Sequence, residues 1–189
     1  MKQLYYDKLE QNPVIAAVKN MEGLKSACER EDICIVFVLF GDICSIGAIV
    51  QCIKDRGKIA VVHADLVTGL SGKEIAVDFL KTQTEADGFI STKPPLIKRG
   101  RELGLLSILR VFVLDSMALE NLNKQIQLAE PDAIEILPGL MPKVIAQVVS
   151  CVRIPVIAGG LISEREDVVA ALSAGAISVS TSNPRVWMM

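Results

Sequence analysis

The stretch VIAGGLIS, residues 156–163, says most about the fold of this chain. Its apolar start is typical of a strand that is buried on both faces of a parallel sheet. Gly159 and Gly160 follow, and glycine accepts a positive φ and lets a ligand approach its backbone N–H group. Ser163 and Glu166 form a capping box, which predicts that a helix comes next. The glycine pair taken alone is better explained by an ordinary tight turn, so a second stretch is needed.

That second stretch is ISVSTSNPRVW, residues 177–187, where another short apolar run ends in small polar residues. Asn183 predicts an N-cap and Pro184 the first residue of a short final helix. The free N–H groups of such a helix would point at the polar turn and form an anion site, to which Arg185 adds charge. Two neighbouring strand ends of this kind match the phosphate site that follows strands 7 and 8 of a (β/α)8 barrel.

Short apolar runs alternate with helical patterns along the whole chain. We predict strands near residues 14–18, 33–40, 59–63, 88–91, 106–114, 133–137, 154–158 and 176–180. We predict helices at residues 21–29, 43–54, 72–83, 95–103, 116–128, 141–150 and 164–174. Strands joined by helices imply right-handed crossovers and a parallel sheet. We therefore predict a compact (β/α)8 barrel of the TIM type, with a doubly wound parallel sheet as the alternative. Since 189 residues fall just below the usual length of about 200, the eighth helix must be nearly absent.

The composition is that of one globular domain, which we expect to span residues 1–189. Apolar residues make up 51% of the chain and the mean hydropathy is +0.42, enough to fill a sizeable core. The 20 basic and 22 acidic residues give a net charge of −2, so no global attraction to nucleic acid or anionic membrane is expected. No apolar run reaches the ~18 residues of a membrane span, and the first residues have no apolar signal core. We expect a cytoplasmic protein.

The cysteines form an odd set, contain no C-x-x-C motif and have apolar sequence neighbours. They are Cys28, Cys34, Cys44, Cys52 and Cys151. We interpret them as small, reduced core residues. Cys44 and Cys52 would share one face of a predicted helix, but a zinc site needs more ligands and His63 is the only histidine.

The chemistry of a barrel lies at the C-terminal ends of its strands. Polar residues at those positions are Lys19, Asp42, His63, Asp65, Ser91, Lys93 and Asp115. His63 and Asp65 have the same side-chain phase, so they either orient a hydroxyl or move a proton, or else form a packing pair. Lys93 is expected to balance the charge of a ligand rather than to form a Schiff base, with a solvated lysine as the plain alternative.

Arg110 and Glu135 interrupt the apolar runs of two neighbouring strands, the fifth and the sixth. A lone charge inside a barrel would be very costly, so we predict that the two side chains pair across these strands. Such a pair would serve the scaffold or a ligand site equally well.

Six strings together resemble the glycerol-3-phosphate-responsive antiterminator family. They are HADLVTGLSGKEIAVDFL, DGFISTK, RVFVLDS, PDAIEILPGLMPKVI, IPVIAGGLI and GAISVSTSNPRVW. The resemblance extends over residues 12–187. It implies a barrel-like regulator of a glycerol-uptake operon that senses glycerol 3-phosphate and acts on leader mRNA to prevent transcription termination.

The resemblance also implies roles for individual residues. The phosphate would be held by Gly159, Gly160, Ser180, Thr181 and Ser182. The glycerol, or the shell that supports it, would be contacted by His63, Asp65, Lys93, Arg110 and Glu135. For RNA, the best local basic patch is Lys98, Arg99 and Arg101, beside Lys93, although an ordinary solvated helix face explains it as well.

We therefore expect a non-enzymatic regulator that couples glycerol 3-phosphate binding to leader-RNA binding, with a homodimer as a candidate assembly. The alternative is a barrel enzyme of the lyase or isomerase type that acts on a small phosphorylated metabolite. In that case His63, Asp65 or Lys93 would be the acid, the base or the amine nucleophile. A simple metabolite-binding scaffold is the third reading. No cofactor, metal or membrane contact is expected.

Overall fold

The sheet is a closed barrel of eight parallel strands, seen in a computed structural model that describes residues 2–188. The strands are β1 (Val14–Val18), β2 (Ile35–Val38), β3 (Ile59–His63), β4 (Gly88–Ser91), β5 (Leu106–Phe112), β6 (Ala133–Leu137), β7 (Val156–Gly159) and β8 (Ser178–Thr181). Each strand pairs with the next, and β8 pairs back with β1. The predicted (β/α)8 architecture is confirmed, because a doubly wound sheet would leave two open edges.

Helices surround the barrel. They are α1 (Lys2–Gln11), α2 (Met21–Glu29), α3 (Ile46–Lys54), α4 (Ile75–Gln83), α5 (Pro94–Glu102), α6 (Ser116–Ala129), α7 (Pro142–Cys151) and α8 (Arg165–Ser173). Two short 3₁₀ helices, Ala64–Leu66 and Val186–Met188, follow β3 and β8. The helix that would follow β8 is thus reduced to one 3₁₀ turn, as the chain length predicts, and α8 is the helix between β7 and β8. Among residues 2–188, no helix has both the length and the apolar character needed to cross a bilayer.

Helix α1 was not predicted from the sequence, and it covers the end of the barrel at which the strands begin. Tyr5 and Leu9 pack into the same apolar cluster as the inward-facing residues Ile15 and Phe37. The Tyr6 hydroxyl donates a hydrogen bond to the Asp132 carbonyl, which directly precedes β6. The opposite end of the barrel, where the strands finish, is not covered by α1.

Several predicted helix starts are wrong in detail. Helices α3 and α4 each begin three residues later than predicted, at Ile46 and Ile75. The N-cap of α8 is Glu164 rather than Ser163, and its capping-box partner is Asp167 rather than Glu166. The Ser163 N–H instead donates to Asp167 Oδ2 at 2.9 Å. The predicted helix at Pro184 is a turn, and the 3₁₀ helix begins two residues later.

The predicted core location is wrong for three of the five cysteines, whereas Cys28 and Cys34 pack against the apolar core. Cys44, Cys52 and Cys151 are exposed, whereas Cys28 and Cys34 are half-buried. Helix α3 begins after Cys44 and buries Ile46, Ile49, Val50 and Ile53 against the barrel, which leaves Cys52 on the solvent side. Apolar neighbours in the sequence therefore do not bury a residue that lies on the outer face of a helix.

Candidate functional site

A cavity of about 470 Å³ opens at the C-terminal ends of β7 and β8. Residues from β1, β5, β6 and both of these strand ends line it. The lining includes Lys19, Arg110, Glu135, Gly160, Leu161, Ser163, Ser180, Thr181, Ser182 and Asn183. The cavity therefore lies at the two neighbouring strand ends, one rich in glycine and one polar, at which the sequence predicts an anion site.

The turn after β7 has an unusual backbone. Gly160 has φ of 76° and Leu161 has φ of 64°, so two consecutive residues occupy the left-handed region. The Gly160 carbonyl accepts a hydrogen bond from the Gly139 N–H at 3.1 Å. A Cβ at Gly160 would also lie 3.0 Å from Leu137 Cδ2. The turn thus depends on a glycine at position 160, for its conformation and for space.

Thr181 connects the turn after β7 with the turn after β8. Its hydroxyl donates to the Ile162 carbonyl at 2.7 Å and accepts the Asn183 N–H at 3.1 Å. The Asn183 amide donates to the Ser163 carbonyl at 2.9 Å. The Thr181 hydroxyl is buried and already hydrogen-bonded, so it supports the turns. Of the five predicted phosphate residues, Gly160, Ser180, Thr181 and Ser182 line the cavity.

Arg110 and Glu135 meet inside the barrel, as predicted. They are direct partners in the β5–β6 register, and Arg110 Nε lies 2.6 Å from Glu135 Oε2. The second carboxylate oxygen accepts the Ser180 hydroxyl at 2.5 Å. A Cβ at Gly159 would lie 2.6 Å from Glu135 Oε1, so this glycine makes room for the Glu135–Ser180 contact. Gly159 and Ser180 therefore position the carboxylate.

The Arg110 guanidinium is only partly used by this ion pair. Its side chain is 10% exposed, and it lines the cavity. Among the residues that the structure describes, the pair with Glu135 engages Nε, and no hydrogen bond involves the two Nη nitrogens. The four N–H groups of these two nitrogens are thus free to donate hydrogen bonds to a ligand in a fixed fork geometry.

His63 ends β3 and is buried. Burial, and then the charge of Arg110, lower the pKa of His63 from 6.5 to about 4, against a smaller opposing effect of Asp65. The imidazole is therefore neutral near pH 7. Its Nδ1 is buried and has no hydrogen-bond partner in the described part of the chain.

Asp65 is held by the end of β4 rather than by His63. Its carboxylate accepts hydrogen bonds from the Ser91 hydroxyl, the Thr92 N–H at 2.7 Å and the Thr92 hydroxyl. Burial by itself raises the pKa of Asp65, but these hydrogen bonds outweigh it and lower the pKa below its usual value. No hydrogen bond between Asp65 and His63 is found within residues 2–188, so the structure contains no direct contact of the kind that either alternative, a functional pair or a hydrogen-bonded packing pair, requires.

Lys93 extends toward Asp65 instead of the cavity. Its Nζ lies 3.5 Å from Asp65 Oδ1, and its side chain is 46% exposed. Lys93 is predicted to contact the ligand or its supporting shell, and it does not line the cavity at the ends of β7 and β8. His63, Asp65 and Lys93 form a separate group at the ends of β3 and β4.

The predicted RNA patch lies on α5, and its arginines are engaged by carboxylates. Arg99 binds Asp78 at 2.6 Å and Glu102 at 2.9 Å, and Arg101 pairs with Glu130. These acids offset the positive charge of the patch, although Lys98 is exposed. An RNA phosphate would have to compete with the carboxylates for the two arginines.

Three residues that line the cavity have no predicted ligand contact. The sequence identifies Lys19 only as a polar strand end, yet Lys19 is exposed and lines this cavity after β1. Ser163 and Asn183 are predicted helix caps, and they line it as well. The adjacency of β1 and β8 in a closed barrel is the signal that could have identified Lys19.

Known proteins with related sequences and folds were compared with the chain. The model of the glycerol-3-phosphate responsive antiterminator family matches residues 14–187. The protein YgcP of Escherichia coli (strain K12) is 48% identical over 182 residues, which cover 96% of this chain and 94% of YgcP.

Three solved structures have the same fold. The glycerol uptake operon antiterminator regulatory protein from Listeria monocytogenes superposes with a TM-score of 0.90 and 36% identity, over 94% of this chain and 95% of that one. The glycerol uptake operon antiterminator-related protein from Thermotoga maritima has a TM-score of 0.83 and 34% identity, over 93% and 98%. Deoxyribose phosphate aldolase from Aeropyrum pernix has a TM-score of 0.71 at 14% identity, over 96% of each chain, a likeness that concerns the fold alone.

The family match spans nearly the whole barrel, including the turns after β7 and β8 and both members of the Arg110–Glu135 pair. The chain therefore belongs to the glycerol-3-phosphate responsive antiterminator family.

Proposed function

We propose that this protein is a regulator that binds glycerol 3-phosphate in the cavity at the ends of β7 and β8. In this proposal ligand binding favours a form that acts on the leader RNA of a glycerol-uptake operon and prevents transcription termination. The description of the matched family supports glycerol 3-phosphate as the ligand. The similarity to the Listeria monocytogenes and Thermotoga maritima proteins supports a glycerol-uptake operon as the target.

The observation on which the ligand proposal rests is the arrangement of the cavity. The left-handed turn at Gly160 and the turn at Ser182 are at its mouth, beside the exposed Lys19. Backbone N–H groups in tight turns, together with a lysine, are a common way to bind phosphate. The free Nη nitrogens of Arg110 lie deeper and suit hydroxyl oxygens. A small molecule with one phosphate and neighbouring hydroxyls fits both parts.

A sensor is favoured over an enzyme by the state of the candidate catalytic groups. His63 is neutral and hydrogen-bonds neither to Asp65 nor, at Nδ1, to another of the described residues. Asp65 is saturated by Ser91 and Thr92, and Lys93 lies beside the Asp65 carboxylate. None of the three lines the cavity that we assign to the ligand. We therefore infer a binding protein without a catalytic step.

Calorimetric titration with glycerol 3-phosphate, glycerol and inorganic phosphate tests the ligand. We expect glycerol 3-phosphate to bind and the two fragments to bind much more weakly, because each fills only one part of the cavity. A leader transcript should then bind more tightly with saturating glycerol 3-phosphate than without it. Turnover of a phosphorylated compound, with no effect on RNA, would support the barrel enzyme instead.

A further inference from the structure

The inner part of the cavity has no net charge. Arg110 contributes one positive charge, and Glu135 compensates it at 2.6 Å with a side chain that is only 1% exposed. The Glu135 oxygens are both occupied, one by Arg110 and the other by Ser180. The charges of Arg110 and Glu135 therefore neutralise each other without a ligand.

The mouth of the cavity is different. Lys19 is exposed there, and the turns at Gly160 and Ser182 offer backbone groups rather than carboxylates. Among the described residues, the only carboxylate that lines this cavity is Glu135, which lies in its inner part. One anionic group of a ligand is thus balanced at the mouth, whereas a second one would have to enter the compensated interior.

We propose that the Arg110–Glu135 pair makes the site selective for phosphorylated compounds whose other end is an uncharged hydroxyl group, and against phosphorylated carboxylic acids. This inference rests on the proposed function, and it adds that the site binds phosphorylated carboxylic acids only weakly. Glu135 is the residue that determines the specificity, and it acts by neutralising Arg110 rather than by touching the phosphate.

The physical reason lies in desolvation. A hydroxyl that enters the inner part accepts a hydrogen bond from Arg110 Nη and loses little hydration energy. A carboxylate loses far more hydration energy, and its attraction to Arg110 is offset by repulsion from Glu135. Specificity of this kind comes from a penalty against the wrong ligand as much as from contacts to the right one.

The experiment compares glycerol 3-phosphate with 3-phosphoglycerate, which has the same carbon chain and phosphate but a carboxylate in place of the hydroxymethyl end. Calorimetric titration of the unmodified protein should favour glycerol 3-phosphate by about tenfold or more. Glu135→Gln removes the compensating charge, so the ratio of the two affinities should fall by about tenfold and move toward 3-phosphoglycerate.

Asp87→Asn is the matched control. Asp87 is also a buried acid in an ion pair, with Lys54 Nζ at 2.7 Å, but it precedes β4 at the other end of the barrel. Its neutralisation should leave the ratio of affinities unchanged. Arg110→Gln is the second test variant, and because it leaves Glu135 uncompensated, it should increase the discrimination against 3-phosphoglycerate.

Equal binding of the two compounds by the unmodified protein would overturn this inference while leaving the proposed function standing. The same conclusion follows if the ratio does not change in a folded Glu135→Gln variant, or, where that variant does not fold, in Arg110→Gln. Failure of glycerol 3-phosphate to bind at all would contradict the proposed function itself.

Discussion

Arg110 and Glu135 face each other in the register of β5 and β6, with Arg110 Nε 2.6 Å from Glu135 Oε2. Their side chains are 10% and 1% exposed. The pair joins two adjacent strands inside the barrel, and Ser180 extends it to β8. One contact therefore belongs to the core of the barrel and to the lining of the cavity.

The first prediction concerns the stability of this pair. Arg110→Met and Glu135→Gln should each lower the free energy of unfolding by about 3–5 kcal/mol, because each leaves a buried charge without its partner. The double variant should be destabilised by less than the sum of the two single effects. Urea unfolding of the four proteins measures the coupling, and strict additivity would contradict an energetic link between the two side chains.

The second prediction concerns the turn after β7. Gly160→Val forces a β-branched residue into φ of 76° and places a Cβ 3.0 Å from Leu137 Cδ2. The turn must move, so the affinity for glycerol 3-phosphate should fall by about tenfold or more while the barrel still folds. Calorimetry gives the affinity and circular dichroism the folded state.

The control for this variant is Gly57→Val. Gly57 has a similar φ of 67°, and a Cβ there would meet nothing within 4 Å. Both variants should lose about 1–3 kcal/mol of stability from backbone strain. The Gly57 variant should bind glycerol 3-phosphate normally, since position 57 lies in the turn after α3. Undiminished affinity in a folded Gly160→Val protein would rule out the phosphate placement.

The third prediction follows from His63. The pKa of His63 is about 4 in the folded protein, whereas the unfolded chain has the ordinary value of 6.5. Between these two pH values the unfolded chain therefore binds a proton that the native state does not. The free energy of unfolding should therefore decrease as pH falls from about 6.5 to 4, by ~3 kcal/mol in total. In His63→Asn this contribution is absent, which urea titrations at several pH values can measure. An unchanged pH dependence would contradict the buried neutral imidazole.

The fourth prediction concerns Asp65, whose folded pKa is lowered by its hydrogen bonds. A carboxyl group of this kind stabilises the fold above its unfolded pKa of about 3.9, and the contribution disappears as pH falls through the lower folded value. The destabilisation due to Asp65 therefore begins at a lower pH than that due to His63. Asp65→Asn should be less stable at neutral pH and should show a weaker decline below about pH 4, which urea titrations over this range can measure.

The fifth prediction concerns RNA. If ligand tightens the binding of a leader transcript by some factor, the transcript must tighten glycerol 3-phosphate binding by the same factor. Replacing Lys98, Arg99 and Arg101 together by glutamine should weaken RNA binding. It should also reduce the slope of log affinity against log salt by about 0.7 for each RNA phosphate that the variant no longer binds. Ligand affinity should stay the same.

A second triple variant, Lys25→Gln with Arg56→Gln and Lys81→Gln, makes the same change in net charge at exposed positions outside α5. It should have little effect on RNA affinity. Equal weakening of RNA binding in the two triple variants would mean that RNA binds another surface or responds to net charge alone. Such a result would be consistent with the ion pairs in which Asp78, Glu102 and Glu130 already engage the two arginines of α5.

Local sequence patterns predicted the barrel and one end of its cavity. Each strand is a short apolar run bounded by turn residues, and eight such runs joined by helices leave a closed parallel sheet as the natural arrangement. The strand ends at Gly160 and Ser182 can be identified from the sequence because glycine and small polar residues directly after an apolar run indicate a turn. The pairing of Arg110 with Glu135 followed from the cost of burying either charge alone.

What the sequence by itself determined is therefore the order of strands and helices, the position of the turns after β7 and β8, and the need for a buried ion pair. Only the tertiary structure decided that α1 closes the barrel, that Lys19 reaches the cavity through the contact of β1 with β8, and that Lys93 binds Asp65. Strand and helix patterns depend on neighbours a few residues away, whereas these contacts depend on closure of the sheet, which joins residues far apart in the chain.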